Sequence, residues 1–304
     1  MNHVVWTQWD DLKAPEGITV LGPATAPIDS AAMDEVTFYV PRYMSGLAGL
    51  EPIRRMSSLR HVQLPNAGYD DAVAFRREGL TFCNARGVHD ISTAELALGL
   101  MIASLREIDK FVLAQSTGQW IQGPRPSLAY KKVALVGFGS IGQTIGRMLE
   151  PFNVDLHAFT RSGSNGTHTM AELDGLLPTF DVVILILPAT PETVNLMDQR
   201  RLGLMKDGAL LVNVARGTIV DTDALVAELE SGRIRAALDV TNPEPLPSDH
   251  RLWRAPGLIV SPHVGGNSSA FEPGMRALLA TQFARLAAGE EPINIVMEGQ
   301  GEGS

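Results

Sequence analysis

Three residues of unlike chemistry, Arg216, Glu244 and His263, each follow an apolar run in the second half of the chain. Together they suit the reduction of a 2-keto acid. A guanidinium grips a carboxylate through parallel N–H donors. An imidazole can hand a proton to a carbonyl oxygen as it becomes an alcohol. A carboxylate can hold that imidazole in one orientation. Each residue also has a purely structural reading: Arg216 paired with Asp221, His263 as a loop histidine behind Pro262, and Glu244 as an exposed acid between Pro243 and Pro245. The two readings part on whether the chain brings all three to one place.

The apolar runs are spaced like the strands of a parallel α/β sheet. Strands are predicted at 132–136, 154–159, 182–187, 209–214, 236–240 and 258–261, with helical stretches between them, such as 221–230 closed by Gly232. Six strands with helical crossovers form a doubly wound domain, which binds ligands outside the carboxyl ends of its strands. Arg216 follows the fourth strand, Glu244 the fifth and His263 the sixth, so all three are expected at one edge.

The first of these strands runs into Gly137-Phe-Gly139-Ser140-Ile141-Gly142 and then a helix. In this pattern Gly137 permits a tight turn, Gly139 lets the backbone approach a pyrophosphate, and Gly142 lets helix and strand pack closely. The helix N-terminus adds free N–H groups and a positive dipole end. A dinucleotide is therefore expected, its site also lined by Leu187 and Pro188 after the third strand, by Val214 and Ala215 after the fourth, and by His263 and Gly265 after the sixth. An NAD site usually has an acid at the end of the second strand, about 20 residues on, to bind the ribose 2′-hydroxyl. Here that strand ends in Thr160-Arg161-Ser162. A carboxylate would repel a 2′-phosphate whereas these three can bind it, so NADP is expected, with NAD as the alternative.

The first third of the chain predicts a second sheet, with strands at 4–7, 18–21, 36–40, 61–64 and 80–83 and a helix at 70–77. Ser92-Thr-Ala-Glu95 has the pattern of a capping box with Ser92 as N-cap. The helix it opens is apolar nearly all round, as expected between two domains or two subunits. The irregular stretch 116–127 marks a boundary, and a last helix at 272–288 is expected to pack back on the first domain. The fold class is thus α/β with two doubly wound domains. Residues 1–98 start a substrate domain, 99–270 form the dinucleotide-binding domain, and 271–304 return to the first.

Composition narrows the partners. The 304 residues are 45% hydrophobic and 19% charged, with a net charge of −9, which speaks against nucleic acid or an anionic membrane as the main partner. No apolar run approaches the roughly 18 residues of a membrane span. The single cysteine, Cys83, forms no intrachain disulfide, and the start shows no basic segment before an apolar core, so a cytoplasmic protein is expected. The Gly- and Glu-rich tail from Glu298 is expected to be loose, and no metal is expected.

Several segments carry a family resemblance. Asn213-Val-Ala-Arg216-Gly-Thr-Ile-Val-Asp221, Ala237-Leu-Asp239-Val-Thr-Asn-Pro-Glu244-Pro-Leu-Pro247 and Ser261-Pro-His263-Val-Gly-Gly266 resemble the signature segments of the D-isomer-specific 2-hydroxyacid dehydrogenases. Leu64-Pro-Asn66-Ala67-Gly68-Tyr-Asp70, Asn84-Ala-Arg-Gly-Val-His-Asp90 and Thr93-Ala-Glu95-Leu-Ala match that family's substrate-domain landmarks, so the resemblance spans most of the chain. It implies a Rossmann-type cofactor domain inserted in a smaller flavodoxin-like substrate domain. It implies Arg216 as the substrate-binding arginine, His263 as proton donor and acceptor, Glu244 as its partner, and Asp239 on the nicotinamide carboxamide. It further implies that the backbone at Ala67 and Gly68 receives the substrate carboxylate, with Asn66 beside it, and that a homodimer forms through the Ser92 region.

Three positions depart from or refine the pattern. Thr160-Arg161 replaces the acid common in NAD-using members. Asn66 stands where a small residue is more usual. The formate-oxidising branch carries glutamine in place of Glu244, which speaks against that activity. The expected activity is reduction of a small 2-keto acid such as glyoxylate, hydroxypyruvate or phenylpyruvate to the D-2-hydroxy acid in the cleft between domains. Tyr43 and Met44 are pocket candidates, as is Trp120 reaching in from a partner subunit. One alternative on the same scaffold is a phosphoglycerate or phosphite dehydrogenase, which would want extra cations such as Arg42, Arg54 or Arg55. Another is a non-catalytic NAD(P)H-sensing protein.

Overall fold

Strand residues such as 133–136 and 182–185 are apolar at every position rather than at alternate ones, which demands a sheet covered on both faces. The computed structural model shows two such sheets. It describes residues 2–164 and 166–299; Asn165 and residues 300–304 of the tail expected to be loose from Glu298 lie outside the described residues, whereas Glu298 ends a strand and Gly299 N–H donates to Leu80 O at 2.9 Å. In chain order the strands and α-helices are β1 His3–Trp6, β2 Ile18–Leu21, β3 Phe38–Tyr39, β4 His61–Gln63, β5 Thr81–Cys83, α1 Asp90–Arg106, α2 Ile108–Ser116, β6 Lys132–Val136, α3 Ser140–Leu149, β7 Asp155–Thr160, β8 His168–Thr169, α4 Leu173–Leu176, β9 Val182–Leu185, α5 Gln199–Leu204, β10 Leu210–Asn213, α6 Thr222–Glu230, β11 Arg235–Leu238, β12 Leu258–Val260, α7 Phe271–Ala287 and β13 Ile295–Glu298.

The chain divides into two units. One takes the residues up to His89 and those from Ser269 on; the other is Asp90–Ser268. The sequence placed these divisions at 98/99 and 270/271. The first falls earlier because the whole of α1 packs on α3, β10 and β11 of the second unit.

The second unit holds a seven-stranded sheet in the order β12-β11-β10-β9-β6-β7-β8, all parallel. Its first six strands in chain order follow the Rossmann-type arrangement, which reverses direction between β6 and β9. Side chains alternate between faces as strand geometry requires. Val133, Leu135, Val182, Ile184, Leu210 and Val212 meet Ala94, Ala97 and Met101 of α1 and Ile145 and Leu149 of α3. Ala134, Val136, Val183, Leu185 and Leu211 meet Leu202 of α5 and Leu225, Val226 and Leu229 of α6.

The first unit holds a six-stranded sheet in the order β13-β5-β4-β3-β1-β2, with β13 antiparallel to β5 and the rest parallel. Its parallel strands have the flavodoxin-like order. One face buries Trp6, Tyr39, Val62 and Phe82. On the other, α7 lays Met275, Leu279 and Phe283 against Val5 and Phe38. The C-terminal helix therefore does return to the first unit. A buried polar pair fixes its register: Gln282 Nε2 donates to Gln63 Oε1 at 2.7 Å and to Ile293 O at 2.9 Å, while Ile293 N–H donates back to Gln282 Oε1 at 2.9 Å. These bonds satisfy amides that would otherwise cost about 1–3 kcal/mol each to bury. Burial in β5 pushes the Cys83 thiol up to about 12, which makes it an inert core residue.

Some elements differ from expectation. The helix α1 begins at Asp90, so Ser92 lies in its first turn and is buried rather than capping it. The stretch after Tyr69 winds as a 3-10 helix, Asp70–Phe75. In α6 the cap is Asp221, whose carboxylate accepts from Ala224 N–H at 3.0 Å, and Gly232 closes the end at φ +72°. Among the described residues no helix is long and apolar enough to cross a membrane.

Candidate active site

The glycine loop between β6 and α3 has a separate physical reason for each glycine. Gly137 sits at φ +105°, and a Cβ there would lie 2.1 Å from the carbonyl oxygen of Ile186. A Cβ on Gly142 would lie 2.5 Å from the carbonyl oxygen of Gly137, so helix and turn touch only because both residues are bare. A Cβ on Gly139 would meet nothing within 4 Å. The loop is thus pulled tight on its inner side and open at Gly139, which is also the N-cap of α3 and offers no side chain to its first N–H groups. That cradle fits a pyrophosphate, with Ser140 and Ile141 opening the helix. The Ser140 hydroxyl donates to the carboxylate of Asp90 at the start of α1, a contact the sequence did not reveal.

At the end of β7 the acid-free segment is organised from within. Thr160 Oγ1 lies 2.8 Å from Thr167 Oγ1 and accepts from Gly163 N–H at 3.1 Å, and Ser162 Oγ lies 2.9 Å from Ser164 Oγ. The short edge strand β8, paired to β7, returns the chain after this loop. Thr160 therefore shapes the loop, while Arg161 and Ser162 are exposed on it. Across the sheet, Leu187 and Pro188 follow β9, and the Thr190 hydroxyl, with a smaller contribution from the Arg161 guanidinium, holds the exposed Glu192 carboxyl below the usual range.

The remaining candidates leave three adjacent parallel strands. Asn213, Leu238 and Val260 are in register across β10, β11 and β12, so the segments after them emerge side by side at the carboxyl edge. After β10 the chain passes Val214 and Ala215, both buried, to Arg216. Asn213 fastens this turn, accepting from Ala215 N–H at 3.1 Å and donating from Nδ2 to Arg216 O at 2.9 Å. Arg216 is half-buried, with Nη1 donating to Ala215 O at 2.8 Å.

After β11 stands Asp239, only 3% exposed. Oδ1 accepts from Ser261 Oγ at 2.6 Å and from Val264 N–H at 2.9 Å, and Oδ2 accepts from Gly265 N–H at 2.9 Å. Its backbone carbonyl accepts from His263 N–H at 2.7 Å. This buried carboxylate therefore builds the turn that carries His263, a task the sequence did not show. His263 needs that support, because it sits at φ +53°, a left-handed conformation that costs a non-glycine residue on the order of 1–3 kcal/mol. Glu244, on the same stretch as Asp239, brings Oε1 to 2.5 Å from His263 Nδ1, with the two side chains 40% and 44% exposed respectively. A carboxylate only accepts, so Nδ1 carries a hydrogen and Nε2 is left for proton exchange.

The Arg216 and Glu244 segments are also packed together. A Cβ on Gly217 would lie 1.9 Å from the carbonyl oxygen of Thr241, so this contact is possible only with glycine. Thr222 Oγ1 adds a bond to Asn242 O at 2.8 Å.

In the first unit, Asn66, Ala67 and Gly68 follow β4, with Asn66 exposed and the other two half-buried. Tyr43 is half-buried and stacks on Phe271 with ring centroids 3.7 Å apart, while Met44 is 59% exposed at φ +60°. In the second unit Trp120 is 87% exposed.

Comparison with known proteins finds a family and a set of similar folds. The family model described as "D-isomer specific 2-hydroxyacid dehydrogenase, NAD binding domain" matches residues 98–265, which include the glycine loop, Arg216, Glu244 and His263. A glyoxylate reductase from Pyrococcus horikoshii is 32% identical over 266 residues, covering 81% of this chain and 78% of that protein. The structure is similar to a D-isomer specific 2-hydroxyacid dehydrogenase family protein from Aeromonas salmonicida, at 25% identity and a TM-score of 0.85, covering 97% of this chain and 99% of the other. It is also similar to an NADPH-dependent glyoxylate/hydroxypyruvate reductase from Sinorhizobium meliloti solved with NADP and malonate, at 25% identity and a TM-score of 0.75, covering 98% and 97%.

The Gly217–Thr241 approach yields a direct check. Gly217→Ala should destabilise the protein by about 1–3 kcal/mol, as overpacking does, and should lower turnover by shifting the neighbouring Arg216. Urea unfolding and steady-state kinetics read both; wild-type values would show that the two segments are not in contact.

Proposed function

We propose that this chain, which belongs to the D-isomer specific 2-hydroxyacid dehydrogenases, reduces a small 2-keto acid of the glyoxylate or hydroxypyruvate type to the D-2-hydroxy acid, preferring NADPH to NADH. Membership of this family makes it an NAD(P)-dependent dehydrogenase. The observation that carries the proposal is the 2.5 Å contact between Glu244 and His263 on segments that leave the sheet beside Arg216.

A nicotinamide dinucleotide held at the Gly137–Gly142 loop would supply hydride for the keto carbon. Arg216 binds the substrate carboxylate through its fork of N–H donors. The backbone N–H groups of Ala67 and Gly68 are assigned to the same carboxylate. His263 gives the Nε2 proton to the substrate oxygen as it gains negative charge, and takes it back in the oxidative direction. Glu244 holds Nδ1–H throughout, so the exchanging proton is always on Nε2. Both side chains are about two-fifths exposed, so His263 regains its proton from water. Asp239 keeps the histidine in place from below, beyond any contact it makes with the carboxamide.

Two features support this substrate class over a phosphorylated one. Arg54 is paired with Glu51 at 3.0 Å and lies over the Phe75 ring, and Arg55 is paired with Asp29 at 2.9 Å. Two of the three substrate-domain cations that a phosphate-bearing substrate would want are thus engaged with neighbouring residues. The preference for NADPH is supported by the absence of an acid in Thr160-Arg161-Ser162 and by the exposure of Arg161. A homodimer is also proposed. Val112 and Leu113 of α2 and Trp120 beyond it are 61%, 69% and 87% exposed, a concentration of apolar surface that water alone does not favour. Because Ser92 is buried, α2 rather than Ser92 itself supplies this surface.

His263→Ala should lower kcat by about 10²–10⁴-fold while the Kd for NADPH stays near wild type. Undiminished turnover in that variant would remove His263 from the chemistry. Sedimentation of the native protein should give twice the monomer mass, and a monomer at micromolar concentration would contradict the dimer.

A further inference from the structure

One buried histidine of the first unit has no task in the chemistry above, yet its contacts lead to the loop assigned to the substrate carboxylate. His89 is 5% exposed, and its Nε2 lies 2.8 Å from the carbonyl oxygen of Pro65. A carbonyl only accepts, so Nε2 is protonated and donates. Two further bonds reach the same loop from the same stretch. Asn84 Nδ2 donates to Ala67 O at 2.7 Å, and Ala85 N–H donates to Asn66 O at 2.9 Å.

Three consecutive carbonyls, those of Pro65, Asn66 and Ala67, are therefore drawn toward residues 84–89. In a planar trans peptide the N–H points opposite to the C=O of the same unit. Anchoring these carbonyls turns the N–H groups of Asn66, Ala67 and Gly68 the other way, as a row of donors. None of these three N–H groups has a partner among the described residues. Successive backbone donors facing one way are suited to an anion.

The imidazole is itself held by rings. It lies 9° from the plane of Phe271 at 5.6 Å and 24° from that of Tyr43 at 5.7 Å, and those two rings stack on each other at 3.7 Å. His89 thus joins the loop after β3, the loop after β4 and the first residue of α7.

We propose that His89 is a positioning residue: by donating to Pro65 O, together with Asn84 on Ala67 O, it aims the N–H groups of residues 66–68 at the substrate carboxylate. This rests on the keto-acid assignment above. His89→Phe keeps a ring for the stack and removes the donor. His89→Gln keeps an amide donor and loses the ring. In the full-length protein, His89→Phe should raise KM for the keto acid about tenfold or more, with a smaller change in kcat and an NADPH Kd within about twofold of wild type. Hydrogen exchange should speed up in the peptide spanning residues 64–69. His89→Gln should recover most of the KM.

Unchanged KM and unchanged exchange in His89→Phe would overturn the proposal, as would His89→Phe outperforming His89→Gln. If His89→Phe does not fold, Asn84→Ala must show the same rise in KM and faster exchange of the loop, and wild-type values there would overturn it equally. A wild-type protein that turns over no keto acid would sink the functional assignment instead, and the exchange of residues 64–69 would still decide whether His89 anchors the loop.

Discussion

The buried carboxylate of Asp239 is the constraint on which the candidate chemistry depends. Every N–H and O–H it accepts comes from the turn that carries His263, and its own carbonyl takes the His263 amide. Without that carboxylate, two backbone N–H groups and a serine hydroxyl would lose their acceptor, and the left-handed backbone of His263 would lose that part of its support. A charge this deep is tolerated because it accepts three hydrogen bonds. The strand that delivers Asp239 also delivers Thr241, whose carbonyl packs on Gly217, and Glu244, which meets the imidazole. Arginine, glutamate and histidine therefore all take their places from one exit, that of β11.

That exit is set by the sheet. β11 runs between β10 and β12 in parallel register, so its following segment is flanked by theirs. Packing on both faces, against α1 and α3 on one side and α5 and α6 on the other, holds these strands in register, since a one-residue slip would exchange the side chains of the two faces. The same logic in the first unit places the loop after β4 beside the stretch after β5, where Asn84, Ala85 and His89 fasten it. In each unit a sheet ends in loops whose backbone is held by buried polar groups, and the candidate reactive and binding groups stand on those loops.

Much of this was legible in the sequence. Apolar runs predicted eleven of the thirteen strands among the described residues, because a strand buried on both faces has few other ways to be written. Gly137, Gly139 and Gly142 announced the tight turn between β6 and α3 through their spacing. The missed strands, β8 and β13, lack such a run: His168-Thr169 is two polar residues, and Ile295–Glu298 joins the sheet antiparallel after a helix, away from the repeating pattern. The capping box at Ser92 misled because Asp90 starts the helix earlier and Ser92 faces the core. The roles of Asp239 toward the His263 turn, of Asp90 toward Ser140 and of His89 toward Pro65 are contacts between segments distant in sequence. No local pattern encodes them.

The most direct test is the rate of NADPH and NADH oxidation by the purified protein across a panel of small 2-keto acids, with the configuration of the product determined by chiral chromatography. Consumption of NADPH in preference to NADH by at least one of them, with a D-2-hydroxy acid as product, is the predicted result. NADPH that binds but is oxidised by none of them would contradict it.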